Sequence, residues 1–331
     1  MLGAIFIVDS GLPDLKGGNP DVNWQDETSL PAQPKQRVPL ACVEVLGRSV
    51  LARAVDDWRE AGVEAFSVLA DRSLGSERGE LDHAVADCSP IWVTDMWSEA
   101  SQELKRYQEC QVEITVVARV RAFAEADASD ILRFHRARQR VVTRVFDQER
   151  PIDLWVIETA EADSRNILTT LNSRKAARYP VSGYVNALDE PQDLRRLVVD
   201  SLTSRCSLRP HGFQVRPGVW VGDGAEIHKK ARIVAPAFVG RKSKIGEQCL
   251  ITRCSNVQSN CEVDYGTVVE DSSILWNSYV GIGLDVAHSI VDGNKLINLK
   301  RDVTLEIRDP DLIRQNGTHL KVDVSEELPA T

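Results

Sequence analysis

The feature that constrains this chain most is a six-residue periodicity. From Val221 onward every sixth residue is aliphatic: Val221, Ile227, Ile233, Val239, Ile245, Ile251, Val257, Val263, Val269 and Leu275. Two places before each of the last nine stands a small side chain: Ala225, Ala231, Ala237, Ser243, Cys249, Ser255, Cys261, Thr267 and Ser273. A half-buried strand repeats every second residue and an amphipathic helix about every 3.6, so neither produces this pattern. A triangular coil of parallel strands does. With about six residues per face, the aliphatic residue points into the prism and the small one faces inward near a corner, where there is little room. Each coil then presents its backbone edge to the next, which pairs the main-chain polar groups and buries a continuous core.

The step shortens after Leu275, where Ser278 and Val280 form the next matching pair; Val286 restores it, and the stretch from Lys295 reads as a cap. The pattern resembles the hexapeptide-repeat family of left-handed parallel β-helices, and the handedness is what that resemblance implies. Cys249 and Cys261 fall in the small inward column and read as core residues, not nucleophiles. Many hexapeptide proteins are acyltransferases that use a histidine, which makes His228 and His288 candidates for an acyl-transfer alternative. Those enzymes usually extrude a loop, and residues 221–275 contain no insertion. The cluster Lys229, Lys230, Arg232, Arg241, Lys242 and Lys244 reads as solvated corners, with a phosphorylated ligand or a partner as the alternative. Trp220 and Trp276 adjoin inward positions and suit packing between protomers, so a homo-oligomer or hetero-oligomer through the β-helix is expected.

Composition excludes several classes. The 331 residues carry 40 basic and 49 acidic side chains, a balance that disfavours nucleic acid as a partner. No apolar run approaches the ~18 residues of a membrane span, and Met1 to Val8 reads as a first buried strand. The expected location is cytoplasmic. Seven cysteines without a CxxC pair argue against both a disulfide framework and a zinc site.

Ahead of the repeat, strand-like and helix-like segments alternate, as in a layered α/β domain with a mostly parallel sheet. Ala4 to Val8, Val63 to Ala70 and Val112 to Ala118 read as strands. Ser49 to Ala61 reads as a helix that buries Leu51, Val55 and Trp58 and stops at Gly62. Asp127 to Arg140 is a second helix with Asp127 or Ser129 as N-cap. Val141 to Phe146 and Ile152 to Glu158 form a hairpin around residues 148–151, and a last helix starts near Asp189 with Pro191 in its first turn.

The stretch Pro39-Leu-Ala-Cys-Val-Glu-Val-Leu-Gly47-Arg-Ser-Val-Leu51, followed by Trp58-Arg-Glu-Ala-Gly62, is similar to the sugar-1-phosphate nucleotidyltransferases. Ile131-Leu-Arg-Phe-His-Arg-Ala-Arg138 resembles that family's helix after its metal-binding strand, and Asp189-Glu-Pro-Gln-Asp193-Leu resembles its closing segment. The family often joins such a domain to a C-terminal β-helix, as mannose-1-phosphate guanylyltransferase does. The resemblance therefore implies an α/β, Rossmann-like nucleotidyltransferase domain over residues 1–205 and a left-handed parallel β-helix with a cap over residues 206–331. It also implies a nucleotide sugar as ligand and, if activity is retained, magnesium as cofactor.

The departures from the family are informative. Its glycine-rich first loop, whose backbone approaches a triphosphate, corresponds here to Asp9-Ser10-Gly11-Leu12-Pro13-Asp14, which keeps one glycine and adds acids. The loop runs on to Arg37 through Pro13, Pro20, Pro31 and Pro34 and is expected to be mobile. The family's loop lysine corresponds to Val38, with Lys35 or Arg37 as substitutes. Its first metal aspartate corresponds to the Ala118-Arg119-Val120-Arg121 stretch and its second to Ala187. Losing both ligands of the bridging cation removes most of what phosphoryl chemistry needs.

The leading reading is thus a catalytically impaired nucleotidyltransferase-like protein that binds a nucleotide sugar or a partner in polysaccharide or cell-envelope metabolism. Its candidate binding residues are Ser10, Gly11, Lys35, Arg37 and Asp71, with no catalytic and no metal-binding residue assigned. The alternatives are an active sugar-1-phosphate nucleotidyltransferase that recruits Asp71, Asp95 or Asp127 for magnesium, acyl transfer, and a purely structural oligomerisation module. His135 reads as a surface or packed histidine, not a base.

Overall fold

The computed structural model describes residues 1–9, 40–77 and 88–316, with side chains described throughout except at 75–77. The chain divides into two compact units, Met1–Arg209 and Pro210–Thr331, so the boundary falls four residues beyond the one read from the sequence.

The first unit is a mixed α/β body. Its seven-stranded sheet contains β1 (Leu2–Val8), β2 (Val63–Asp71), β3 (Ile91–Val93), β4 (Ile114–Arg119), β5 (Val142–Asp147), β6 (Arg150–Glu158) and β7 (Ala177–Val181), in the order β7-β5-β6-β4-β1-β2-β3. β1 runs parallel to both β2 and β4, whereas β6 lies antiparallel between β4 and β5. β1 is buried along its whole length, as a central strand covered on both faces must be. The chain leaves β1 toward β2 on one side and returns to β4 on the other, so the carboxyl ends of β1 and β4 form the point where the strand order reverses. The β5–β6 turn is tighter than the sequence reading, because β6 begins at Arg150 and leaves only Gln148 and Glu149 between the strands.

Helix α1 (Val50–Glu60) starts where Ser49 accepts a hydrogen bond from the Ala52 amide at 3.0 Å, and Leu51, Val55 and Trp58 form its buried stripe. Gly62 follows at φ +96°, a conformation that a side chain would strain. The sequence reading missed α2 (Met96–Glu109), although its buried residues Met96, Ala100, Leu104 and Tyr107 follow helical spacing. Helix α3 (Ala128–Arg138) has Asp127 as its N-cap, α4 spans Ile167–Leu171, and α5 (Pro191–Leu202) has proline at its first position. A polar knot fastens α2 to the sheet: Ser67 Oγ meets Glu103 Oε2 at 2.5 Å and Tyr107 Oη at 2.9 Å, and Tyr107 donates to the Ala4 carbonyl at 3.1 Å.

The second unit is a region of many parallel strands compatible with a β-helix. The chain visits three ladders in turn: one through Val219–Val221, Ala237–Val239, Asn256–Val257 and Ser273–Ile274, one through Glu226–Ile227, Lys244–Ile245, Glu262–Val263 and Ser278–Val280, and one through Arg232–Ile233, Leu250–Thr252, Val268–Glu270 and Asp285–Ala287. Paired residues are eighteen apart in the first coils, for example Val219 with Ala237 and Arg232 with Leu250. Each face therefore takes six, and Ile233, Ile245, Ile251, Val257 and Val263 fill the interior.

The shortened step lies one face earlier than the sequence reading put it. Val257 pairs with Ile274, not Leu275, and later pairs are seventeen apart. Ile274 is the interior residue, and Leu275 is absent from the interior cluster. The small column moves with it to Ser272, which accepts from the Ser289 amide at 3.0 Å and donates to the Val286 carbonyl at 3.1 Å. Ser243, Ser255 and Thr267 likewise accept an amide of the following coil. These corner hydroxyls thus satisfy backbone groups that the flat ladders leave over. Gly240 is required by close stacking, because a Cβ there would stand 2.5 Å from the backbone of Gln258. Antiparallel strands Lys295–Asn298 and Val303–Glu306 extend the first ladder, and Ile313–Gln315 closes the second.

Candidate functional site

A cavity of about 380 Å³ opens at the carboxyl ends of β1 and β4, within the size range of small-molecule sites. Its floor is formed by Phe6 and Ala118, one wall by Val50, Arg53, Ala54 and Trp58 of α1, and another by residues 150–154 at the start of β6. Because β6 runs against β4, with Leu154 beside Ala118, its first residues lie at the end where β4 leaves the sheet. Ala187 and Asp189, just ahead of α5, complete the lining. Five arginines (Arg53, Arg119, Arg121, Arg150, Arg196) and four aspartates (Asp57, Asp147, Asp153, Asp189) face the cavity among apolar side chains.

Two of these arginines converge on Asp9, the last residue of the described first segment. Arg119 grips its Oδ2 through Nε and Nη2, and Arg121 Nη2 lies 3.0 Å from its Oδ1, so each carboxylate oxygen has its own guanidinium. Such charge-assisted pairs hold both donors in fixed orientation. Asp153 lies beside them. Burial pushes its carboxyl up, while Arg119, Arg121 and Arg144 pull it down. Arg150 approaches Asp189 at 3.4 Å and Arg196 pairs with Asp193 at 2.7 Å. Arg53 donates to the carbonyls of Val45 and Leu46 at 3.1 and 3.4 Å and has no carboxylate in salt-bridge range among the described residues. Burial and then Arg48 bring its pKa down to about 10, which leaves it charged at neutral pH.

The structure brings together two positions that the sequence kept sixty-eight residues apart, Arg119 and Ala187. Both face this cavity; the Ala118-Arg119-Val120-Arg121 stretch and Ala187 are the places to which the resemblance assigns the two metal-binding aspartates. A guanidinium and a methyl group cannot ligate a hard cation, which takes oxygen donors. Among the described residues, no three His, Cys, Asp or Glu side chains gather closely enough to hold a metal ion.

Of the residues singled out from the sequence, Ser10, Gly11, Lys35 and Arg37 lie outside the described residues, as does the long loop that carries them. Asp71 ends β2, where its Oδ1 accepts from the Ser73 amide at 2.8 Å, and it does not line the cavity. Asp95 accepts from the Ser98 amide at 3.0 Å as the N-cap of α2, and Asp127 caps α3. All three aspartates offered as substitute metal ligands therefore serve local backbone amides. Sequence reasoning missed Arg53, Asp153 and the Asp9 clamp; the alternation Arg119-Val120-Arg121 was the available signal, since it sends both guanidinium groups to one side of an extended strand.

His135 is fully buried, with Nδ1 2.8 Å from Thr143 Oγ1 and Nε2 3.2 Å from Glu158 Oε1, in an orientation that makes no hydrogen bond to the carboxylate. It is a packed histidine, as one of the two sequence alternatives had it. In the second unit the basic cluster is interleaved with acids across neighbouring strands. Lys230 pairs with Glu247 at 2.6 Å, and Lys244 sits in the ladder between Glu226 and Glu262. His228 Nε2 stands 3.8 Å from the same Glu247, and His288 Nδ1 contacts Asp271 Oδ2 at 2.7 Å. The seven cysteines are all free thiols. No helix among the described residues is long and apolar enough to cross a membrane.

Comparison with models of known protein families and with curated proteins finds no match to this chain.

Proposed function

From the cavity at the sheet's strand-order reversal, we propose that this chain is a nucleotidyltransferase-like protein that binds a nucleotide sugar without transferring a nucleotidyl group. The observation that carries the reading is a pair of guanidinium groups, Arg119 and Arg121, at the point to which the resemblance assigns a metal-binding carboxylate. In a nucleotidyltransferase the negative charge of the phosphates is met by a divalent cation, which two aspartates hold. Here Arg119 and Arg121, which share the single Asp9 carboxylate, stand at the carboxyl end of β4, and on this reading their surplus positive charge takes the place of the cation. Fixed guanidinium groups can bind a diphosphate through paired N–H donors, but they supply no cation to activate a sugar phosphate for attack. The apolar lining, with Trp58 and Phe123 among it, suits the face of a base or sugar ring. The left-handed sense of the β-helix and its role in assembly belong to the same reading.

The test is calorimetric titration with a panel of nucleoside diphosphate sugars, with magnesium and with EDTA. Saturable one-to-one heat of equal size in both is the expected result, with affinity falling at least about tenfold for Arg119→Gln. Magnesium-dependent pyrophosphate release from a nucleoside triphosphate and a sugar 1-phosphate would instead establish an active enzyme. Failure to bind any member of the panel would leave the cavity without this ligand and the reading without support.

A further inference from the structure

The outward face of the third ladder of the β-helix has a symmetry that the fold itself does not require. On each of its four strands the inward residue is aliphatic: Ile233, Ile251, Val269 and Val286. The residue before it points outward, and the registers stack these as Arg232, Leu250, Val268 and Asp285 in one straight column. Leu250 and Val268 are only half-buried, and Arg232 and Asp285 are exposed. Neither Arg232 nor Asp285 has a side-chain hydrogen bond or ion pair with the described residues, whereas Glu270 beside the column is paired with Arg253 at 2.8 Å.

A column that reads cation, apolar, apolar, anion at equal spacing is complementary to itself when turned end for end. A two-fold axis lying in the interface and perpendicular to the column, at the level between Leu250 and Val268, places the Arg232 of one copy against Asp285 of the other, and Leu250 against Val268. We propose that a second copy of this chain docks on this face in that antiparallel arrangement. A two-fold interface uses the same patch on both copies, so one column supplies two apolar contacts and two ion pairs. Opposite charges at the two ends fix the direction, because a parallel pairing would set Arg232 on Arg232 and Asp285 on Asp285. The adjoining corner adds apolar surface through Tyr265 and Ile282, which are 45% and 63% exposed. Charge complementarity and the doubled apolar centre thus name the partner.

Sedimentation equilibrium of the full chain at low and high salt tests this. A dimer is expected, with a dissociation constant that rises with salt. Arg232→Glu and Asp285→Arg should each weaken it about tenfold or more, and Val268→Glu should weaken it further. The decisive variant is the double exchange Arg232→Glu with Asp285→Arg, which restores both pairs and should return the dimer to within a few-fold of the original. Circular dichroism melting checks that each variant keeps its fold; these side chains point outward, so each is expected to. A monomer at all concentrations, a trimer, or a dimer indifferent to the single exchanges would overturn the proposal, as would failure of the double exchange to restore it.

Discussion

The two units solve the problem of burying backbone in opposite ways. In the second unit each strand pairs with one eighteen or seventeen residues on, so one short rule, an aliphatic residue about every sixth place and a small one two before it, specifies nearly the whole interior. Its polar interior is equally regular, with Ser243, Ser255, Thr267 and Ser272 repeating one hydrogen-bond role at the corners. The α/β unit has no such rule. Its buried polar contacts are single events between residues far apart in the chain, such as Ser67 with Glu103 or Thr115 with Thr159. Regularity makes the first legible and robust, and irregularity gives the second a cavity with unlike walls.

The comparison can be broken most sharply at the shortened face. Ile274→Ala should cost about 2–5 kcal/mol, as removal of a fully buried aliphatic side chain does, and Leu275→Ala clearly less. Urea unfolding followed by circular dichroism measures both, and a larger loss at Leu275 would place the shortened step elsewhere.

His135 sharpens the other side. Burial, and then the charge of Arg136, hold its pKa at about 4, against 6.5 ordinarily. Below pH 6.5 the unfolded chain therefore takes up a proton that the folded chain refuses. Stability present at neutral pH is lost as pH falls toward 4, at up to about 1.4 kcal/mol per pH unit. A His135→Gln variant should lack that component between pH 6.5 and 4. Equal acid sensitivity of the two proteins in unfolding midpoints would contradict it.

Smaller effects probe one hydrogen-bonding side chain in each unit. Ser255→Ala leaves the Ser272 amide, 3.1 Å from the Ser255 hydroxyl, with no acceptor and should cost about 1–3 kcal/mol, read from the urea midpoint. Asp127→Ala removes the acceptor for two amides at the start of α3 and should cost about 1 kcal/mol. If Asp127 only caps, magnesium should leave the melting temperature of wild type and variant equally unchanged.

The repeat, its strands and its inward column as far as Val269 were open to reading because periodic burial writes itself into residue type. So were α1, α3 and α5, whose caps Ser49 and Asp127 and whose Pro191 are local signals. The shortened step was misread because Ile274 and Leu275 are adjacent aliphatics, and Ser272 and Ser273 adjacent small residues; only the register decides between them. Helix α2 was overlooked although its spacing was present, and Asp95, taken for a possible ligand, is its cap.

The sequence by itself determined the repeated parallel strands and the alternation of strands and helices, because both rest on contacts within a few residues or at a fixed interval. Tertiary structure alone decided that Asp9 lies between Arg119 and Arg121, and that Ala187 faces the cavity they border. Charge pairing between distant residues leaves no periodic trace. It depends on strands that meet only when the sheet forms, and electrostatic interaction falls with a distance that the linear chain does not encode.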